Sequence, residues 1–181
     1  MTLHQLDKLS SIALSVISTF AIITGGIFGL VEYMGHKEDL RKSASLNLVT
    51  NYHSDVYLKN TEKLQNIWSN HYPNLIILSN DNILHNKEKI IAYNKFVIEM
   101  VSKESISQEI INILNFYERV AICVEAQLCD KEVIDNFFLN DGRTFFNKFY
   151  PYICALRNQW QDNKLWFKPE TYFKPGITLC N

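Results

Sequence analysis

Polar and apolar positions follow two different rhythms along this chain. From Leu9 to Val31 there is no Asp, Glu, Lys, Arg, His or Pro, so 23 residues run without a charge or a helix breaker. As a helix this stretch is roughly 34 Å long, enough to cross a hydrocarbon core of about 30 Å. The pattern predicts a transmembrane helix over 9–31. A cleaved signal peptide fits less well: its apolar region is shorter and ends in a small-x-small site, whereas this run ends Ile27-Phe28-Gly29-Leu30-Val31.

Beyond Gly35, which the pattern marks as a hinge, the rhythm becomes that of amphipathic helices. No Gly or Pro occurs between His36 and Tyr72, and Leu40, Ala44, Leu48, Tyr52 and Val56 recur at steps of four, continued by Leu64, Ile67 and Trp68. One long helix or two abutting ones are predicted, ended by Pro73. After a polar loop at Asn80-Asp81-Asn82, a second helix carries Ile90, Phe96, Val97, Met100 and Val101. Ser105 and Gln108 have the spacing of a capping box. They open a third helix with Ile110, Leu114, Tyr117, Ala121, Val124 and Leu128 as its stripe. Asp130 caps a short helix through Phe138, and Asp141-Gly142 signals a turn. A last helical stripe holds Phe145, Phe149, Ile153, Leu156 and Trp160, with Pro151 breaking or kinking it.

No segment alternates as a strand does. The fold class is therefore all-α: an N-terminal transmembrane helix (9–31), a cytoplasmic helical bundle (36–164), and an extended tail (165–181). In the tail Trp166-Phe167-Lys168-Pro169 is echoed by Tyr172-Phe173-Lys174-Pro175. The 23 aromatic residues exceed what one small bundle easily buries, so contacts between protomers are expected.

Charge narrows the partners. Eighteen basic and 19 acidic residues give a net charge of −1, which speaks against direct nucleic-acid binding. Lys8 alone precedes the apolar run, whereas Lys37, Arg41 and Lys42 follow it. That bias places the C-terminal part in the cytoplasm of a bacterial inner-membrane, single-pass protein. Cys123, Cys129, Cys154 and Cys180 form no C-x-x-C pair and are read as small buried hydrophobes that need no disulfides in a reducing compartment.

Chemistry is scarce. An Arg followed four to six residues later by His would suggest a ribonuclease, but all five histidines precede residue 86 and Arg119, Arg143 and Arg157 follow it. Metal-ligand spacings, phosphate loops and nucleophile elbows are absent as well. No enzyme, catalytic residue, metal or cofactor is expected. Two polar pairs stand out, Glu118-Arg119 and Arg157-Asn158. They are read as solvent-exposed or register-fixing residues in preference to a buried ion pair or network that joins two helices as part of a degenerate ligand pocket. In the apolar run Ser11, Ser15, Ser18, Ile22, Gly25 and Gly29 share one helical face, Gly25 and Gly29 forming G-x-x-x-G. Small residues allow close helix approach, so the spans should self-associate, with Thr19 and Thr24 on adjoining faces as further packing or pore-lining positions.

The layout of an N-terminal anchor, the run Asn115-Phe-Tyr-Glu-Arg-Val-Ala121, a helix start at Asp130 and Arg157-Asn158 on a late aromatic helix resembles a family of small single-span helical bacterial membrane proteins. One branch is the membrane accessory protein of type VI-B CRISPR systems. The resemblance implies a homo-oligomeric pore that perturbs membrane potential in antiphage defence, with itself and the lipid bilayer as partners and a functional link to an RNA-guided effector. That branch is also described as carrying a divergent Arg…His ribonuclease motif. Arg157 and Asn158 match its start, and the missing His puts that activity in doubt. The alternative is a membrane-anchored adaptor or sensor with a ligand-binding helical bundle; a divergent membrane-bound ribonuclease stands third.

Overall fold

The computed structural model describes the backbone of residues 3–78, 87–174 and 180, and side chains except at 1–17, 19, 55, 74–86, 175–179 and 181. Six helices follow in order: α1 (Leu3–Tyr52), α2 (Asp55–Leu78), α3 (Lys87–Lys103), α4 (Ser107–Glu125), α5 (Lys131–Trp160) and α6 (Phe167–Phe173). Among the described residues there is no strand, and the fold is all-α.

The chain divides into two compact units, residues 1–41 and 42–181. In the first, α1 runs without interruption through Gly35, which is not a hinge. A glycine costs a helix only about 1 kcal/mol relative to alanine, and the flanking residues supply the missing propensity. The second unit is a bundle built on an aromatic and aliphatic core. α3 packs on α5, α2 on α4, and α6 lies against both α4 and α5. The last turns of α1 join it through Ala44, Leu48, Val49 and Tyr52. Phe116 stands at the centre, 4.9 Å from Tyr52, 5.1 Å from Tyr57 and 5.3 Å from Phe138 between ring centroids. The stripe read on α4 is buried from Ile110 through Ala121, whereas Leu128 lies past the helix and is exposed.

Ser45, fully buried on α1, ties that helix to the start of α5: its hydroxyl accepts from the Asp130 N–H at 2.8 Å and donates to the Asp130 carbonyl at 3.3 Å. Asp130 in turn caps α5, accepting from the Val133 N–H at 3.0 Å, as its sequence position predicts.

Several boundaries differ from the sequence expectation. Pro73 and Pro151 both lie inside helices. Pro73 is exposed, so water can take the carbonyl it leaves free; Pro151 is held by the continuous buried face from Phe145 to Leu156. Ser105 does not cap α4. It adopts φ 51°, and Ile106, without a side-chain hydrogen bond, is the residue before the helix. α5 passes through Asp141-Gly142 with no turn. Gly142 is there for a different reason: a Cβ on it would meet Phe173 Cδ1 at 2.3 Å, so the glycine lets α6 seat its ring against α5.

The tail is not extended throughout. Phe167–Phe173 is helical, with Pro169 in its first turn, where the missing N–H has no intrahelical partner to lose. Nor are the cysteines unpaired: Cys123 bonds Cys129 and Cys154 bonds Cys180, with Cα–Cα 5.3 Å in each pair. The first pair forms because α4 ends in a left-handed residue, Gln127 (φ 56°), after which the Leu128 and Cys129 N–H groups both donate to the Cys123 carbonyl. The turn folds Cys129 back over the helix end. The second pair fastens Cys180 to α5.

Candidate functional site

Two regions answer to the residues singled out in the sequence. The first is the apolar part of α1. Phe20, Ile22, Ile23, Ile27, Phe28, Leu30, Val31, Tyr33 and Met34 are each more than half exposed, and an added Cβ on Gly25, Gly26 or Gly29 meets nothing within 4 Å. Contiguous apolar surface of this kind marks a place where lipid or another protein surface belongs. Thr24 needs no outside partner, since its hydroxyl donates to the Phe20 carbonyl at 2.8 Å. That bond satisfies it within the helix and makes it compatible with an apolar environment. Ser18 is exposed. The side chains of Ser11, Ser15 and Thr19 lie outside those described, as do all those of residues 9–17 in the candidate span.

Among the described residues no helix is long and apolar enough to cross a membrane.

The second region is a buried polar cluster between α5 and α6. Arg157 is 5% and Glu170 1% exposed, with Nη2 and Oε2 2.6 Å apart. Arg157 Nε also donates to the Leu165 carbonyl at 2.8 Å, so its guanidinium holds both the loop before α6 and α6 itself. Trp166, buried beside it, donates from Nε1 to Asn115 at 2.9 Å. Tyr150 borders the pair. Burial and the Glu170 carboxylate push its phenol far up, with Arg157 pulling the other way. Lys174 stands 3.4 Å from the centre of the Tyr150 ring, and burial lowers its ammonium while Glu170 opposes that shift.

The four polar residues named from sequence do not converge. Arg157 is committed to Glu170; Asn158 beside it is exposed; Glu118 is half-buried. Arg119 is exposed and donates to the Tyr57 hydroxyl, its guanidinium 5.6 Å above that ring. The pair that matters is Arg157–Glu170, and the sequence reading missed its acid. One signal was available: Glu170 is the sole acidic residue of the tail from 165 to 181, set in an apolar and aromatic context where a lone carboxylate needs a partner.

The architecture therefore defines a class: an α-helical domain with a long N-terminal helix that carries an exposed apolar segment, one disulfide at the end of α4, and a C-terminal end closed by a buried ion pair and a second disulfide. The chain belongs to the family described as Domain of unknown function (DUF4760), whose model matches residues 19–172. The match takes in the apolar part of α1 from Thr19 as well as the bundle as far as Tyr172. No curated protein and no solved structure matches the chain.

Proposed function

We propose that this protein is anchored in a membrane by α1, assembles there with copies of itself, and acts in the assembled state by opening a pore that dissipates membrane potential in antiphage defence. The observation that carries the reading is the uncovered apolar segment, nine large side chains from Phe20 to Met34 all more than half exposed. Burying them in lipid removes a surface costly in water at roughly 25 cal/mol per Å². Gly25 and Gly29 have open space around them, which supports close approach of a second helix. One helix cannot enclose a path through lipid, so conduction needs several copies.

The Lys and Arg bias keeps the bundle, in this proposal, on the cytoplasmic side. The two disulfides weigh against that side, because such bonds rarely persist in the cytoplasm, so thiol labelling in intact cells tests the orientation. Free cysteines agree with it; cysteines that label only after reduction would reverse it. The pore itself is tested by reconstituting the full chain in vesicles under a potassium gradient with a potential-sensitive dye. The gradient should collapse with the wild-type chain and persist with Gly25→Leu/Gly29→Leu. A gradient that persists with the wild type removes the pore.

A further inference from the structure

A half-open cavity of about 230 Å³ lies between α2, α4, α5 and the last residue of α1, Tyr52, in the helical unit. Its wall is aromatic. Trp68 and Phe149 meet edge to face at 5.5 Å, and Tyr117 closes the floor. Onto this wall α5 brings the ammonium of Lys148, 5.1 Å from the centre of the Trp68 ring. None of the ion pairs among the described residues involves Lys148, and burial lowers its ammonium from the ordinary lysine value. A cation partly withdrawn from water, facing an aromatic wall and without a carboxylate, is an unusual thing to build into a bundle.

We propose that this cavity binds a small aromatic anion, with Lys148 as its counter-ion and Trp68 and Phe149 as the wall its ring packs against. Size agrees. An apolar cavity of about 150 Å³ takes benzene, so this one holds a bicyclic ring with a short acidic arm. Polarity is set along α5. Asp141, also on the lining, precedes Lys148 by seven residues, about 10 Å along the helix axis. Asp141 repels an anion, so the negative end of a ligand belongs at Lys148 and away from Asp141. Thr144, between them, is exposed at the rim. The proposal does not depend on the apolar segment of α1 or on any pore.

The test is calorimetric titration of the full chain in detergent micelles with indole-3-acetate, neutral indole and cationic tryptamine, each against blank micelles. Indole-3-acetate should bind best. Lys148→Met should weaken it at least about tenfold, the loss expected for one charge-assisted contact, while leaving indole unchanged; Lys148→Arg should restore it. Thr144→Trp, a rim substitution that leaves the core alone, should fill the mouth and abolish binding of all three, so the proposal stays testable even if Lys148→Met does not fold. No indole-3-acetate binding by the wild type, equal binding by Lys148→Met, or tighter binding of tryptamine would each overturn it.

Discussion

Replacing Gly142 by alanine puts a methyl carbon 2.3 Å from Phe173 Cδ1, 2.6 Å from Cε1 and 2.7 Å from Cγ. Carbon atoms in contact sit about 3.5–4.0 Å apart, so the overlap is about 0.8–1.7 Å on three atoms of one ring. The ring has nowhere to go: it is fully buried, 4.7 Å from Tyr117, and stacked on Phe146 at 5.9 Å. Overpacking of this kind costs about 1–3 kcal/mol, and the rigidity of the neighbours puts this case at the upper end. The alanine regains about 1 kcal/mol of helix propensity, leaving a net loss of about 2 kcal/mol. For a chain of this length that lowers Tm by about 4–8 °C. Thermal unfolding of the full chain in mild detergent reads it. Phe173→Leu should cost less in the Gly142→Ala background than alone, because the smaller side chain relieves the clash. A Gly142→Ala variant melting at or above the wild type, as helix propensity alone predicts, would refute the reasoning.

Three further outcomes follow from the bundle. Replacing Cys154 and Cys180 by alanine, which opens a closure over 26 residues, should cost about 3–4 kcal/mol, against about 2 for the 6-residue Cys123–Cys129 closure; chemical unfolding of the two variants compares them. Arg157→Leu should cost about 3–5 kcal/mol because Glu170 is left buried and unpaired, and Arg157→Leu/Glu170→Leu should recover most of it; equal losses in both would deny the pair its role. At Asp135 burial pushes the carboxyl up, but hydrogen bonds from Lys131 and Tyr172 outweigh it and hold the group below its ordinary value. Its contribution to stability is thus present above the unfolded value near about 3.9 and is lost as pH falls through the lower folded value; Tyr172→Phe should flatten that acid-side loss in unfolding measured from pH 5 to pH 2.

Helix periodicity carried most of the fold because buried stripes repeat at 3.6 residues whatever surrounds them. Ile110, Leu114 and Tyr117 are buried as the spacing indicates, and Asp130 caps as its position indicates. The failures share a cause: local signals were overridden by tertiary contacts. Gly142 reads as a turn because a glycine is equally useful for conformational freedom and for close approach, and only Phe173, 31 residues later, decides between them. Pro151 reads as a break because the cost of its missing N–H is local, while the buried face that holds α5 together is not. The ion pair at Arg157 was half legible, since its basic member was singled out and its acid was not. Lys148 left no trace in the pattern, because nothing in a sequence shows that a lysine faces a tryptophan two helices away. The cysteine pairs escaped a search for C-x-x-C because the bond between Cys123 and Cys129 depends on the left-handed turn at Gln127.

The central claim, assembly through the uncovered segment of α1, is tested most directly by the mass of the full chain in lipid nanodiscs. Because a Cβ added at Gly25 or Gly29 meets nothing within 4 Å, and leucine is a better helix former than glycine, leucine there should leave the helix intact and block the approach of another. The account predicts a defined multimer for the wild type and monomers for Gly25→Leu/Gly29→Leu, with the helical content of the two unchanged. A wild-type chain that is monomeric in the bilayer, or a double variant with the wild-type mass, would contradict it.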